Sequence, residues 1–559
     1  MLGGKRVLKA YAQKTIDGMM SVQADYFYKE LLKKLGGTWD PYNKSWILPY
    51  RKDVWETLQY SIAGIIADQN IMDELNEPYS DTHKEAKEAP IPPIKAILYK
   101  YQQAAYAEAY NAFNDRCGFA YLMEMGTGKS ITTIATISQL YIEKRINKVL
   151  IVAPLAVCPV WDKEFRQFAE INYSLAVLKG STKDKSAQLN NLTGIGLQVV
   201  VVNYESAWRI EADLHRYNAD MIIADESQRI KNPRANQSKT MHRLGDRAKY
   251  KLILTGTPVT ATPLDFWSQY RFLDPSIFGM SYYAFRTRYV IMGGFENKQV
   301  IGYRDLKGLC KKAHSIAYRV TKRTALDLPD ETEEVYYCEF EPRAAKLYRQ
   351  IYNDGFAKLE SGVVTTPHKI TQLLRLSQLC GGFLAHDIDP ESEGERTLEQ
   401  VSTAKLELFT DIITDLLDNP AKKVVVFARF RAELFAIAKI MDKLVGSDGY
   451  RVLNGDTPQK DRGQFVQDFQ TNPNVRVFLA NQQCAGLGIT LTASDTVIFY
   501  SNSYNYADYE QAKARVHRIG QKNKCTYIHL LVKDSIDEDV LKNLQHKGDT
   551  AKLVVDFYK

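Results

Sequence analysis

Five residues, Gly126-Thr127-Gly128-Lys129-Ser130, follow a short apolar run and open what reads as a helix. Glycines let a loop curl closely around an anion, and the N–H groups at a helix N-terminus point at it. A lysine in such a loop reaches the β- and γ-phosphates of a nucleotide, and the hydroxyl after it binds Mg2+. Lys129 and Ser130 stand where those tasks fall, with Gly126, Thr127 and Gly128 as the cradle. The longer GxxxxGK[ST] pattern is incomplete, because Met123 occupies its first glycine position. Hydrolysis needs a second, acid-bearing strand, and Met221-Ile222-Ile223-Ala224-Asp225-Glu226 supplies one. Asp225 is expected to hold Mg2+, and Glu226 to orient and deprotonate the attacking water. Leu254-Thr255-Gly256-Thr257-Pro258 ends another apolar run and suits a turn that senses both. Near the C-terminus, Gln511-Ala512-Lys513-Ala514-Arg515-Val516-His517-Arg518-Ile519-Gly520-Gln521 reads as a helix with Arg515 and Arg518 on one face. Guanidinium groups suit the spread charge of a transferring phosphoryl group. Carried on a second lobe, they would make hydrolysis depend on closure.

These residues need a scaffold that presents them at strand ends. Short β-branched runs such as KVLIVAP, LQVVVVNYE, ADMIIADE and YKLILTGTP alternate with helical stretches. The same grammar returns in KVVVFARF, RVFLANQQ, DTVIFYSN and TYIHLL. Continuous apolar strands with intervening helices mean parallel sheets covered on both faces. The expected fold is therefore α/β, with two parallel-sheet lobes at 94–275 and 402–559 and a helical connecting region at 276–401. Ahead of them, 1–66 reads as a small α+β domain, and the acidic, proline-closed stretch 67–93 as a linker.

The bulk composition narrows the class without naming it. The chain has 559 residues, a net charge of +7 and a pI of about 8.7, which permits nucleic-acid binding. Seven scattered cysteines form no CxxC pair, so neither a zinc site nor a disulfide framework is suggested. Such usage fits a reducing cytosol. The first residues lack an apolar signal core, and no apolar run reaches the length of a membrane span. The expected setting is soluble and cytoplasmic, in a bacterial or virus-infected cell, with a monomer favoured.

Taken in order, the motifs resemble those of SWI/SNF-like superfamily two ATPases, over roughly 94–540. Lys100-Tyr101-Gln102 matches the Q motif, and the resemblance gives adenine recognition to Gln102. GTGKS matches motif I; Ile151-Val152-Ala153-Pro154-Leu155 with Trp161 matches motif Ia; Asp225-Glu226-Ser227-Gln228 matches motif II; Thr255-Gly256-Thr257-Pro258 matches motif III. The run from Ala485 through Gly488 to Asp495 matches motif V, which adds Gly488 to the nucleotide-binding set. The arginine segment matches motif VI, with the HRIGQ ending typical of this branch. The family usually has histidine where Gln228 stands, and Ser-Thr-Arg or similar where Asn481-Gln482-Gln483-Cys484 stands. The resemblance implies two RecA-like lobes that use ATP and Mg2+ and act on double-stranded DNA.

Residues 30–49, ELLKKLGGTWDPYNKSWILP, are similar to the HARP domain of annealing helicases. From the residues alone, this is an amphipathic helix, a Gly-Gly turn and a strand with lysines and aromatics. Lysines suit phosphates, and Trp or Tyr can stack on an unpaired base. Equally, Trp39, Trp46 and Trp55 could form the core of a small packing module. Basic residues Lys311, Lys312, Arg319, Lys322 and Arg323 could line a DNA groove or solvate a helix. The expected function is an ATP-dependent translocase on duplex or forked DNA that remodels or anneals it. The rivals are a strand-separating DNA or RNA helicase and a non-hydrolysing clamp or scaffold.

Overall fold

Apolar strands fix the architecture. The computed structural model describes residues 10–15, 17–62, 65–68, 70–71, 75, 88–293, 296, 299–325, 328–354, 356–359, 362–365, 369–385, 398–483 and 489–555. The chain forms two compact units, one built mainly on residues up to Thr321 and the other on Lys322 to Gln545.

In the first unit, the main sheet has seven strands among the described residues. Their order is Ala317–Val320, Gly118–Met123, Tyr250–Leu254, Met221–Asp225, Lys148–Ala153, Leu197–Asn203, Tyr173–Val177. Every pairing is parallel. Strands such as Gly118–Met123 and Met221–Asp225 are buried at each residue, so helices must cover both faces. The register sets Asp225 level with Leu254, and Leu254 level with Tyr121. The phosphate loop, the acid pair and the Thr255 turn therefore leave the sheet along one edge.

The second unit repeats the plan with six parallel strands among the described residues. Glu331–Cys338 lies at one edge, followed by Cys525–Val532, Thr496–Phe499, Val424–Ala428, Val477–Asn481 and Tyr450–Leu453. Its core joins Phe409, Ile413, Leu434, Ile437 and Met441 of the covering helices to Val426, Leu479 and Ile498 of the sheet. The two lobes are RecA-like, as the alternation of apolar strands and helices implies. The stretch 276–401 also contributes strands, Ala317–Val320 to the first sheet and Glu331–Cys338 to the second.

The N-terminal module is a five-stranded sheet, ordered Thr38–Asp40, Ser45–Leu48, Met20–Gln23, Tyr11–Lys14, Ile66–Ala67, with helices Lys29–Lys34 and Lys52–Ser61. The first helix stops at the Gly-Gly pair. Gly36 takes φ +84, and the N–H groups of Gly36 and Gly37 return to the carbonyls of Lys33 and Leu32. A Cβ on Gly37 would stand 2.6 Å from the Leu32 oxygen, so both glycines are required. Trp46 and Trp55 are buried with Leu31, Leu32, Leu48, Val54 and Leu58, whereas Trp39 is 49% exposed, its ring 5.5 Å from that of Trp46. The three tryptophans thus divide between core and surface.

This module docks on a hairpin, Val290–Gly293 paired with Gln299–Tyr303, that belongs to the same unit. Ile291 and Ile301 pack against the module core, and Tyr303 N–H donates to Ser61 Oγ at 3.2 Å. The approach is close at Gly302, where a Cβ would stand 2.7 Å from Leu31 Cδ1 and make that side chain shift. Residues 76–87, inside the expected linker, lie outside the described residues.

Trp46→Ala is expected to cost the module about 3–5 kcal/mol, the usual range for a buried tryptophan. Trp39→Ala should cost well under half of that. Amide-exchange protection of Met20–Gln23 measures both, and equal losses would refute the division between core and surface.

Candidate functional site

Strand Gly118–Met123 runs through a loop into helix Lys129–Ile142. Gly126 and Gly128 have φ of +84 and +88, a left-handed conformation that costs a side-chain-bearing residue about 1–2 kcal/mol. A Cβ on Gly128 would also lie 2.1 Å from Gln102 Nε2. Gly128 is the N-cap of the helix, so the first-turn N–H groups remain for an anion. Thr127 is buried, and Ser130 stands in the first turn, half-buried. Lys129 Nζ donates to the Met123 carbonyl at 3.1 Å. Met123, at the position of the absent first glycine, is still in the strand, buried and paired with Val320. The loop begins after it, which is why no glycine is needed.

Gln102 is 3% exposed and caps helix Lys100–Asp115, its Oε1 accepting from Tyr99 N–H at 2.9 Å. That capping bond holds the amide Nε2 beside Gly128. The residue given to adenine recognition is thus in direct register with the phosphate loop.

Asp225 ends its strand nearly buried, and each carboxylate oxygen has one donor. Trp161 Nε1–H reaches Oδ2 at 3.0 Å, and the Glu226 N–H reaches Oδ1 at 2.9 Å. Tyr204 donates its hydroxyl to the Asp225 carbonyl at 2.8 Å. Burial, and then the Glu226 charge, push the Asp225 carboxyl above its ordinary range, while Lys129 and Trp161 pull the other way. A buried anion in that condition gains from a cation. Among the described residues, no cluster of three or more His, Cys, Asp or Glu could hold a metal ion alone. One carboxylate, from Asp225, and one hydroxyl, from Ser130, with phosphate oxygens and water completing the shell, make a donor set that suits Mg2+. The residues fit Mg2+ and a nucleotide.

Glu226 sits at φ +50, a third left-handed residue at the same edge and the one that carries a side chain. Its Oε2 accepts from Gln228 Nε2–H at 2.7 Å. Gln228 Oε1 accepts from Thr255 Oγ1–H at 2.8 Å, and Thr255 Oγ1 accepts from Thr257 N–H at 3.0 Å. A buried glutamine with one donating and one accepting end therefore links the acid to the turn after the neighbouring strand. Ser227 Oγ–H donates to Gln269 Oε1 at 2.7 Å, and Gln269 Nε2–H donates to the Pro258 carbonyl at 2.7 Å, closing a second link.

Two contributors were not assigned from the sequence. Trp161 was only a motif marker, although a buried indole N–H must find an acceptor. Arg319 turns inward rather than toward a groove: it donates to the carbonyls of Leu122 and Gly256, each at 3.2 Å, and to Glu124 at 3.1 Å. Lys322 likewise donates to the His517 carbonyl at 2.6 Å. Lys311 and Lys312 remain exposed.

In the second unit, helix Tyr506–Val516 ends before the expected pattern is complete. Arg515, buried, lies in its last turn, but Arg518 lies beyond it, in a turn that ends at Gly520 with φ +99. The two arginines therefore do not share a helical face. Arg518 Nη1–H instead donates to the Ile489 carbonyl at 3.3 Å, and Leu491 N–H to the Arg515 carbonyl at 2.9 Å. Gln521 Nε2–H reaches the Ser494 carbonyl at 2.7 Å, and His517 Nε2 the Pro329 carbonyl at 2.9 Å. The HRIGQ ending thus knits together motif V and motif VI. Gly488 lies outside the described residues. No helix among the described residues is long and apolar enough to cross a membrane.

The chain matches the family model of the SNF2-related domain over residues 100–381, just over half its length. It matches the helicase conserved C-terminal domain over 404–520. It is 27% identical over 482 residues to the SWI/SNF chromatin-remodeling complex subunit snf22 of Schizosaccharomyces pombe, covering 83% of this chain and 28% of that protein. It is 26% identical to the DNA repair and recombination protein RDH54 of Saccharomyces cerevisiae, covering 73% of this chain and 46% of that one. The chain thus spans less than half the length of these relatives. Among solved structures, it is 26% identical to the Sulfolobus solfataricus SWI2/SNF2 ATPase core in complex with dsDNA, covering 84% of this chain and 98% of that one, with a TM-score of 0.40. With the SNF2-related domain matched across that half and the helicase C-terminal domain following it, this chain belongs to the SNF2-related family.

Proposed function

We propose that this chain is a DNA-dependent ATPase that translocates on double-stranded DNA. The observation that carries the reading is the convergence of Lys129, Asp225, Glu226 and the Thr255 turn on one edge of a parallel sheet, in a chain of this family. Lys129 and the N–H groups of 126–130 bind the β- and γ-phosphates of ATP, and Gln102 the adenine. Ser130 and Asp225 hold Mg2+, which when bound supplies positive charge across the phosphates. Glu226 orients the attacking water and takes its proton. Arg515 and Arg518 stabilise the charge on the transferring phosphoryl group, with Gly488 contributing to the nucleotide site. Gln228 positions Glu226 and ties its state to the Thr255 turn.

We further propose that the N-terminal module is HARP-like and directs the motor to forked or junction DNA, where it anneals or remodels strands. The exposed Trp39, Tyr42 and Lys44, on and beside the hairpin Thr38–Asp40 and Ser45–Leu48, support this reading. They offer a stacking surface and a cation without disturbing the core.

Steady-state hydrolysis without nucleic acid, and with single-stranded DNA, blunt duplex, forked duplex or duplex RNA, tests the whole reading. Duplex or forked DNA should stimulate most; stimulation by single strands or RNA alone would favour a strand-separating helicase, and none at all a clamp. Glu226→Gln should lower the DNA-stimulated kcat about 10²–10⁴-fold, the usual worth of a general base. Gln228→Ala should lower kcat about tenfold to a hundredfold with a smaller change in KM for ATP, because it mispositions the base without touching nucleotide. Unchanged kcat would remove Gln228 from the linkage. Trp39→Ala with Tyr42→Ala should reduce the fork preference while leaving blunt-duplex stimulation intact.

A further inference from the structure

Where the N-terminal module meets the hairpin, the first unit has an open cleft of about 870 Å³. Its wall combines Lys34 of the module, Tyr283 and Arg286 of helix Tyr282–Tyr289, and Arg304 just after the hairpin. That size matches a pocket for a nucleotide-sized ligand. It lies away from the phosphate loop and shares no residue with it.

The charge of this wall is decided by how its acids are paired. Asp53, Glu56 and Asp305 also line the cavity, but each has a cationic partner that does not. Asp53 pairs with Arg51 at 2.8 Å, Asp305 with Arg288 at 3.6 Å, and Glu56 with Lys307 at 3.9 Å. The arginines of the wall have neutral partners instead. Arg304 donates to the carbonyls of Thr287 at 2.7 Å and Arg288 at 3.1 Å. Arg286 Nη2 lies 3.3 Å from the Met292 sulfur. A carbonyl or thioether occupies an N–H without cancelling its charge, so Arg286 and Arg304 keep their full charge at the cavity, while each acid of the wall is paired with a cation outside it. Three residues from Arg286, and on the same helical face, Tyr283 is 78% exposed.

We propose that this joint is a second nucleic-acid site that takes one unpaired nucleotide of a DNA strand. The backbone phosphate sits on Arg286 and Arg304, and the base stacks on the Tyr283 ring. A paired base in duplex offers no free face to that ring, so the site selects unpaired DNA. The inference rests on the translocase reading and gives it a means of sensing the single strand at a fork, distinct from the Trp39 surface.

The test uses the full chain, with fluorescence anisotropy of a labelled oligo-dT, a blunt duplex and a duplex bearing one single-stranded tail. Blunt-duplex-stimulated hydrolysis is measured alongside. Tyr283→Ala should weaken oligo-dT and tailed-duplex binding roughly tenfold. Arg286→Gln with Arg304→Gln should weaken both and reduce the slope of log affinity against log salt by about one. Blunt-duplex affinity and duplex-stimulated hydrolysis should not change in any variant. Because Arg304 also braces backbone carbonyls, the exposed Tyr283 keeps the test decisive if the arginine variant fails to fold. Unchanged oligo-dT affinity in Tyr283→Ala, or an equal loss on blunt duplex, would overturn the site. Selective loss of oligo-dT binding in a protein whose hydrolysis no DNA stimulates would uphold the site and remove the translocase reading.

Discussion

Strands that are apolar on both sides leave a sheet only its edges for chemistry. Each face of Gly118–Met123, Met221–Asp225 and Tyr250–Leu254 must be covered by helices, so polar groups can emerge only where the strands stop. Parallel pairing then brings all the stops to the same edge. The glycine loop, the acid pair and the threonine turn are far apart in sequence, yet the register leaves them no other place to go. The rest of the site follows from that constraint.

At this edge, the protein spends stability on function. Asp225 is held nearly buried, with its carboxyl disfavoured as an anion, and Glu226 next to it takes a left-handed backbone conformation. Neither choice would arise from packing alone. The hydrogen bonds that keep both in place run outward through Trp161, Tyr204, Gln228 and Thr255, each from a different element. A continuous hydrogen-bonded path therefore joins the acid pair to the Thr255 turn. A glutamine serves this link as well as a histidine in one respect: its amide donates to the carboxylate and accepts from the hydroxyl without titrating.

Much of this was legible in the residues, for physical reasons. Short β-branched runs bounded by turn residues favour buried parallel strands, and glycines before a helix favour a left-handed turn, so the lobes and the glycine loop were readable. Spacing failed where local periodicity gave way to tertiary contacts. Arg515 and Arg518 have helical spacing, but the chain leaves the helix at His517, whose ring is drawn to Pro329 and Glu331. Arg319 looked like part of a surface cluster because its acceptors, the Leu122 carbonyl in a strand and the Gly256 carbonyl in the turn after another, are distant in sequence. Likewise, three tryptophans in a small module gave no sign of which would face outward. Position in the sheet decides it: Trp39 and Trp46 are paired and share a face, but Trp39 is on the edge strand Thr38–Asp40, whereas Trp46 is one strand further in and joins the module core.

The docking of the N-terminal module changes how its role has to be separated from the motor's. Ile291 and Ile301 of the hairpin complete the apolar core around Leu31, and Gly302 permits the close approach. Module and hairpin are thus one packed body, and removing the first 93 residues would strip the cover from the hairpin as well as remove a surface. Apolar side chains exposed in this way promote association and misfolding. The module's outward face, by contrast, is formed by Trp39, Tyr42 and Lys44, none of which supports the core. Substitutions on that face leave the apolar core of the module in place.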